Sequence, residues 1–386
     1  MIREYNSIIQ IIKGSLWGTD VSNATQHDYE EMRLHAILSL PGNILNHIAM
    51  PKELRENWKT NVLQNVATYL KIKYTEQHLP LTVPYVILKG SSAAQYYPFP
   101  EFRTEGDIDL MTREEDYCSA CDMFLQAGWK EVTEGDEIQR GRHRSFRSNG
   151  IIVELHFFFS SIHEPNKAKA LDQLIRKYIL PGYHRLPDMI NGLVLMSHIY
   201  QHLKDGIGLR QVLDWMMFVY RCLPDEKWNE FEPLADQTGI KNLAISVTRM
   251  CELYLGLLPH AWSTEADESV CSELMDYIIS SGNFGSKLQM KDQIALERIR
   301  RLKHPVKLII VLLTQSPKKK KMKTKGSCGF FVFLNGVFDI LSQVFNPSSS
   351  YAKDKKNKIL LRKLGINGLD NALVYYEDGE YIRRNR

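Results

Sequence analysis

Residues 85–112 read YVILKGSSAAQYYPFPEFRTEGDIDLMT, and the fold is decided in this stretch. It opens on an apolar, strand-like run, Tyr85-Val86-Ile87-Leu88, and turns through the small residues of Lys89-Gly90-Ser91-Ser92. A short helical piece, Ala93 to Tyr97, stops at Pro98. A second run, Asp107-Ile108-Asp109-Leu110-Met111, sets two acids one residue apart. Residues i and i+2 of a strand share a face, so Asp107 and Asp109 project together while Ile108 and Leu110 face a core. Two carboxylates on one face repel each other unless a cation sits between them. Mg²⁺ takes oxygen ligands of this kind together with substrate phosphates. Glycine admits close backbone approach, and a turn that leads into a helix offers N–H groups and positive potential to phosphate. Exposed strands often carry alternating acids, so Asp-x-Asp alone says little. The cradle and the carboxylate pair together describe a site for a metal–triphosphate complex.

These residues carry a resemblance. Leu88-Lys89-Gly90-Ser91 followed by Gly106-Asp107-Ile108-Asp109-Leu110 is similar to the signature of the polymerase beta-like nucleotidyltransferase superfamily, and more narrowly to a bacterial branch described as putative nucleotidyltransferases. One departure is the spacer of 15 residues between Ser91 and Asp107, a little longer than the superfamily commonly shows. The resemblance implies an α+β fold, in which a small mixed-sheet core is joined to a large helical domain. It implies Mg²⁺-dependent transfer of a nucleoside monophosphate from an NTP, ATP among the candidates, to a hydroxyl acceptor, with release of pyrophosphate. Two Mg²⁺ ions are expected, on Asp107, Asp109 and a third acid from a later strand.

That later strand is Ile151-Ile152-Val153-Glu154-Leu155-His156-Phe157, entered through a hairpin at Asn149-Gly150. An acid and a histidine inside so apolar a strand need a reason, because burying an unpaired charge is costly. Metal binding beside Asp107 and Asp109 supplies one, and the resemblance places the third ligand on Glu154. His156 orients Glu154, contacts substrate or fills space. Lys89, Gly90 and Ser91 are assigned to the triphosphate, with Arg103 and His143 as further nucleotide contacts. Arg142 and Arg144 are basic neighbours of the same kind, and a solvated charged loop is the plain alternative for each.

The full chain of 386 residues has room for two domains and a substantial core. A net charge of +4 does not by itself argue for nucleic acid. The first residues carry an acid and no long apolar core, so they do not read as a signal peptide. No apolar run is long enough to span a bilayer. The six cysteines are scattered, and Cys118-x-x-Cys121 lacks the partner pair of a zinc site, which points to a reduced, cytoplasmic protein.

Four regions are expected. Residues 1–80 form a helical lead-in, with helices at Glu30–Ala49 and Leu54–Gln77, that packs on the core. Residues 81–165 form the catalytic core, with a helix from Arg113 to Ala127 closed by Gly128 and a strand at Trp129–Thr133. Residues 166–305 are helical: Met189 to His202, Leu209–Tyr220, Glu226–Gln237, Lys241–Leu257, Thr264–Ser281 and Lys291–Arg301. His198 and His202 are one turn apart on a helix, but Ile199 stands where a zinc protease needs glutamate. With Arg210 and Asp214 they form a second block similar to that of the bacterial branch, read as an interdomain network or a cleft lining.

Residues 306–386 hold a lysine-rich loop, an amphipathic stretch and a polar tail. Lys318–Lys325 contains six lysines, and Phe330–Phe345 follows it with apolar and polar faces. Peripheral contact with an anionic membrane is one reading, and a basic loop before a core helix is the other. Two rival functions stand beside the transferase. One is a non-catalytic regulatory protein of the same fold, antitoxin-like, against which the three intact acids argue. The other is a membrane-surface transferase with a lipid or glycan acceptor.

Overall fold

The computed structural model describes residues 6–133, 142–204, 206–287, 357–366, 372–377 and 380–385. The chain divides into two compact units, residues 1–286 with 361–386 and residues 287–360. The second falls almost wholly outside the described residues, so the helix expected at Lys291–Arg301 and the Lys318–Lys325 and Phe330–Phe345 segments lie outside them too.

The first unit is built on a five-stranded sheet of order β1-β2-β5-β4-β3. Its strands are β1 (Tyr85–Leu88), β2 (Ile108–Thr112), β3 (Lys130–Glu131), β4 (His143–Ser148) and β5 (Ile151–His156). Strand β2 pairs antiparallel with β1 and parallel with β5, which makes the sheet mixed. The β4–β5 hairpin turns at Asn149 (φ +50°) and Gly150 (φ +76°), the left-handed pair that an Asn-Gly turn requires.

One face of this sheet is apolar because alternate residues of β2 and β5 are, joined by Ile87 of β1 and Phe146 of β4. Ile87, Ile108, Leu110, Phe146, Ile151, Val153 and Leu155 bury there against Ala120, Cys121 and Phe124 of helix α5 (Tyr117–Gln126). Phe124 and Phe146 stack with centroids 4.8 Å apart. Ile72 of helix α3 (Lys52–Gln77) joins the same cluster. The other face carries Asp109, Glu154 and His156.

Helix α1 (Asn6–Trp17) and helix α2 (Gln26–Leu34) precede α3. The long helix expected at Glu30–Ala49 is broken: α2 stops at Leu34, and only a 3₁₀ turn follows, at Leu40–Asn43. The chain leaves the helix at Ala36, which takes left-handed backbone at φ +54°, and Pro41 and Gly42 disfavour its resumption beyond. Between β1 and β2 lies the short helix α4 (Gly90–Ala94). Helix α5 begins four residues later than expected because Arg113 to Asp116 form a turn, and Gly128 closes it at φ +81°.

After the sheet come α6 (Pro165–Lys177), α7 (Asp188–His202), α8 (Leu209–Cys222), α9 (Asp225–Gln237), α10 (Lys241–Leu255) and α11 (Glu268–Ser281). Helices α7 and α8 are buried over most of their length, and Gly192 gives α8 its approach. A Cβ at that position would stand 2.4 Å from Phe218. The polar tail contains a two-stranded ladder, β6 (Ala372–Glu377) with β7 (Glu380–Asn385), in which Tyr376 opposes Tyr381. No helix among the described residues is long and apolar enough to cross a membrane.

Candidate active site

Register brings the acids together. Asp109 of β2 lies directly opposite Glu154 of β5, and Leu88 at the end of β1 opposes Asp109 from the other side. His156, two residues beyond Glu154, opposes His143 of β4 on the same face. Ligand atoms of Asp109, Glu154 and His156 all lie within 4.8 Å of one another. Asp107 precedes β2 and stands exposed at the cleft, outside that tight cluster.

Lys89 caps the cluster. Its Nζ lies 2.6 Å from Asp109 Oδ1 and 5.5 Å from the centre of the Phe159 ring. Lys89 holds a positive φ of +46°, a strained conformation for a residue with a side chain. The buried ion pair with Asp109 holds it there. His156 Nε2–H donates to the same Asp109 Oδ1 at 2.8 Å. Glu154 is approached by His156 Nε2 at 3.6 Å and His143 Nε2 at 3.8 Å.

The protonation states follow from burial and neighbours. Burial opposes the charge on Asp109, but Lys89 and the His156 hydrogen bond hold its carboxyl well below the usual range. Glu154 is pushed up to about 8 by burial and by the negative charge of Asp109. Crowding by protein and the charge of Asp109 also raise Asp107. His156 is lowered to about 3, chiefly by burial, so its imidazole is neutral. Three acids around one ammonium are therefore short of positive charge, and Glu154 takes a proton to relieve the excess. A divalent cation would displace that proton and supply the missing positive charge, so the oxygen donor set fits one.

These groups open into a cavity of about 240 Å³, lined also by Gly90, Arg103, Glu105, Gly106, His198, Gln201, His202, Arg210 and Phe284. Gly90 forms its edge closely, since a Cβ there would lie 3.3 Å from Glu105 Oε2. Of the nucleotide contacts expected from sequence, Lys89, Gly90, Arg103 and His143 line this cavity. Ser91 does not line it: its hydroxyl donates to Glu76. Ser92 instead locks the turn, 2.7 Å from Lys89 O and 3.0 Å from Asn191 Oδ1 of α7.

Arg103 is committed elsewhere. It grips Asp214 of α8 through Nε and Nη2, both at 2.7 Å, and reaches Glu105 through Nη1 at 2.9 Å. Tyr97 OH donates to Asp214 Oδ1 at 2.9 Å. Asp214 thus holds the β1–β2 connection to α8, as a structural network. Arg144, one residue from His143, forks onto Glu131 at 2.7 and 2.8 Å. Arg142 donates to Phe159 O at 2.7 Å.

Arg210 shows the opposite pattern. It lines the cavity, forms no ion pair among the described residues, and its buried Nε has no hydrogen-bond partner. Burial and the nearby charge of Arg103 weaken its hold on its proton. His198 and His202 stack edge to face at 4.8 Å. Burial makes both neutral, with His202 lowered to about 3. The sequence block His198–Asp214 thus splits, with Asp214 in the scaffold and His198, His202 and Arg210 on the cavity wall. Phe284 on the same wall carried no motif that the sequence reading could use; its signal is a bulky residue inside a Gly-Asn-Phe-Gly turn.

A family model described as an uncharacterised nucleotidyltransferase matches residues 24–256, more than half of the chain. The chain belongs to that family. The match spans the whole acid cluster and helices α7 and α8. Membership makes the chain a nucleotidyltransferase enzyme with a nucleotide as substrate. No curated protein and no solved structure matches the chain.

Proposed function

We propose that this nucleotidyltransferase moves a nucleoside monophosphate from an NTP to a hydroxyl acceptor in a Mg²⁺-dependent reaction. The observation that carries the reading is the direct opposition of Asp109 and Glu154 across a parallel strand pair, with Lys89 paired to Asp109 and the cavity open beside them. Asp107, Asp109 and Glu154 would hold Mg²⁺, which when bound neutralises the triphosphate and stabilises attacking and leaving oxygens.

The chain's own groups divide the remaining work. Gly90 lets the backbone meet the phosphates, and Lys89 and Arg210 supply positive charge. His156 fixes Asp109 by its hydrogen bond. Glu154, which must be deprotonated when the cation is bound, would accept the proton of the acceptor hydroxyl at a carboxylate oxygen. The acceptor oxygen forms a bond to the α-phosphorus, the bond from that phosphorus to the β-bridging oxygen breaks, and pyrophosphate leaves.

Calorimetric titration of the full chain with ATP, CTP, GTP and UTP, with and without Mg²⁺, tests this. At least one nucleotide should bind in a metal-dependent way, and Asp107→Asn should weaken that binding at least tenfold. Asp107 is exposed, so the variant keeps the fold. A folded wild type that binds no nucleotide overturns the proposal.

A further inference from the structure

The cavity takes part of its wall from Phe284, in the turn Asn283–Gly285 beyond the region the family model covers. Phe284 in that turn holds φ +51° and ψ +35°, left-handed backbone that a bulky residue rarely adopts. Its surroundings over-determine that conformation. Gly285 N–H donates to Gly282 O at 3.1 Å, and Gln211 Nε2 donates to Asn283 Oδ1 at 2.9 Å. Two glycines press on the turn from the loop before α8. A Cβ at Gly206 would stand 2.5 Å from Gly285 Cα, and one at Gly208 would stand 2.8 Å from Asn283 Cα.

What this construction holds in place is a phenyl ring that stays 44% exposed, so filling a core does not account for it. The ring lines the cavity that contains Asp107, Asp109 and Glu154. The edge of His202 meets it with centroids 4.7 Å apart, and the Arg210 guanidinium carbon lies 5.6 Å from its centre. A neutral aromatic wall is thus joined by one unpaired guanidinium to the acid cluster. A nucleotide has the same order of parts: an uncharged planar base, a sugar, then phosphates.

We propose that Phe284 is the platform on which the donor's nucleobase stacks, with Arg210 placed to meet the phosphate end. This rests on the nucleotidyl-transfer reading above and names the part of the donor that this wall takes. Strain held at a defined position is a recurring property of ligand clamps. Stacking accepts every base, since each has a π face, so Phe284 contributes affinity and little choice among bases.

The test compares two probes on the full chain by calorimetry with Mg²⁺: nucleoside triphosphates and inorganic tripolyphosphate, which lacks a base. Phe284→Ala should weaken nucleotide binding by about 5- to 100-fold, the worth of one base–aromatic stack. Its tripolyphosphate affinity should stay within about twofold. Phe284→Tyr should keep the wild-type affinity, and Phe284→Gly, which relaxes the backbone without restoring a ring, should behave as alanine does. Equal nucleotide affinity in wild type and Phe284→Ala overturns the platform and leaves the transferase reading intact. Full nucleotide affinity in Phe284→Gly overturns it as well. A wild type that binds neither probe fails the underlying reading instead.

Discussion

At the scale of single residues, the site separates cations by what they hold. Lys89 and Arg103 follow the same local logic, each paired to a buried aspartate, yet one faces the cavity acids and the other locks a loop to α8. Removing a partner from a buried ion pair leaves an uncompensated charge, which costs more than the pair is worth. Arg103→Ala should therefore destabilise the protein by about 3–5 kcal/mol, because Asp214 and Glu105 lose their shared guanidinium. Urea unfolding measures it, and a loss below about 1 kcal/mol would show that this network does not hold the β1–β2 connection. The expectation of a nucleotide contact fell on Arg103 because an arginine between the cradle and the acids is the natural candidate. Arg103 and Arg210 have the same chemistry in one dimension, and only their neighbours in space distinguish them.

At the scale of elements, strand alternation was legible and helix ends largely so. β1, β2 and β5 stand where the apolar runs and alternating acids put them, and the Asn149-Gly150 turn formed as its residues dictate. Helices α7, α8, α9 and α10 fall within two residues of the stretches read from periodicity. Breaks were harder, since Ala36 leaves the helix within a pattern that otherwise continues in helical register. Close helix contact was also invisible. Gly192 reads as an indifferent residue within α7, but the ring of Phe218, fully buried, leaves no room above it. Gly192→Ala should overpack the α7–α8 contact and cost about 1–3 kcal/mol, despite alanine's better helix propensity. Chemical denaturation decides the sign, and a stabilised variant would show that the two helices separate easily.

At the scale of the whole molecule, three histidines gather at the site, His198 and the half-buried His202 on the cavity wall and His156 buried beneath the acids, each depressed by its removal from water. Their folded-state pKa values lie below the usual 6.5 of a free histidine. As pH falls below that value the unfolded chain takes up protons that the folded chain refuses. Stability from these groups is full above about pH 6.5 and is lost as pH falls toward 3. Thermal unfolding between pH 7 and pH 5 should show a falling midpoint. The fall should be smaller in His202→Gln, whose side chain stays neutral throughout. Glu154, whose raised pKa favours the folded state as pH falls, opposes this trend, so the comparison decides: an equal change of midpoint in wild type and His202→Gln contradicts the neutral assignment.

The sequence by itself determined which strands exist, which face of each is apolar, and which residues carry the carboxylates, because these depend on local periodicity and residue chemistry. The Gly-Ser turn, the Asp107 and Asp109 pair and Glu154 could all be named from it. The tertiary structure alone decided which groups meet. The parallel pairing of β2 with β5 sets Asp109 against Glu154, and the docking of α8 pairs Arg103 with Asp214 while Arg210 lines the same cavity without an ion pair among the described residues. It also brings in Phe284 from beyond α11. The physical reason is range. Alternation and turn chemistry act over a few residues, whereas charge pairing, burial and the strain of a turn depend on neighbours a hundred positions away along the chain, as Arg103 and Asp214 are.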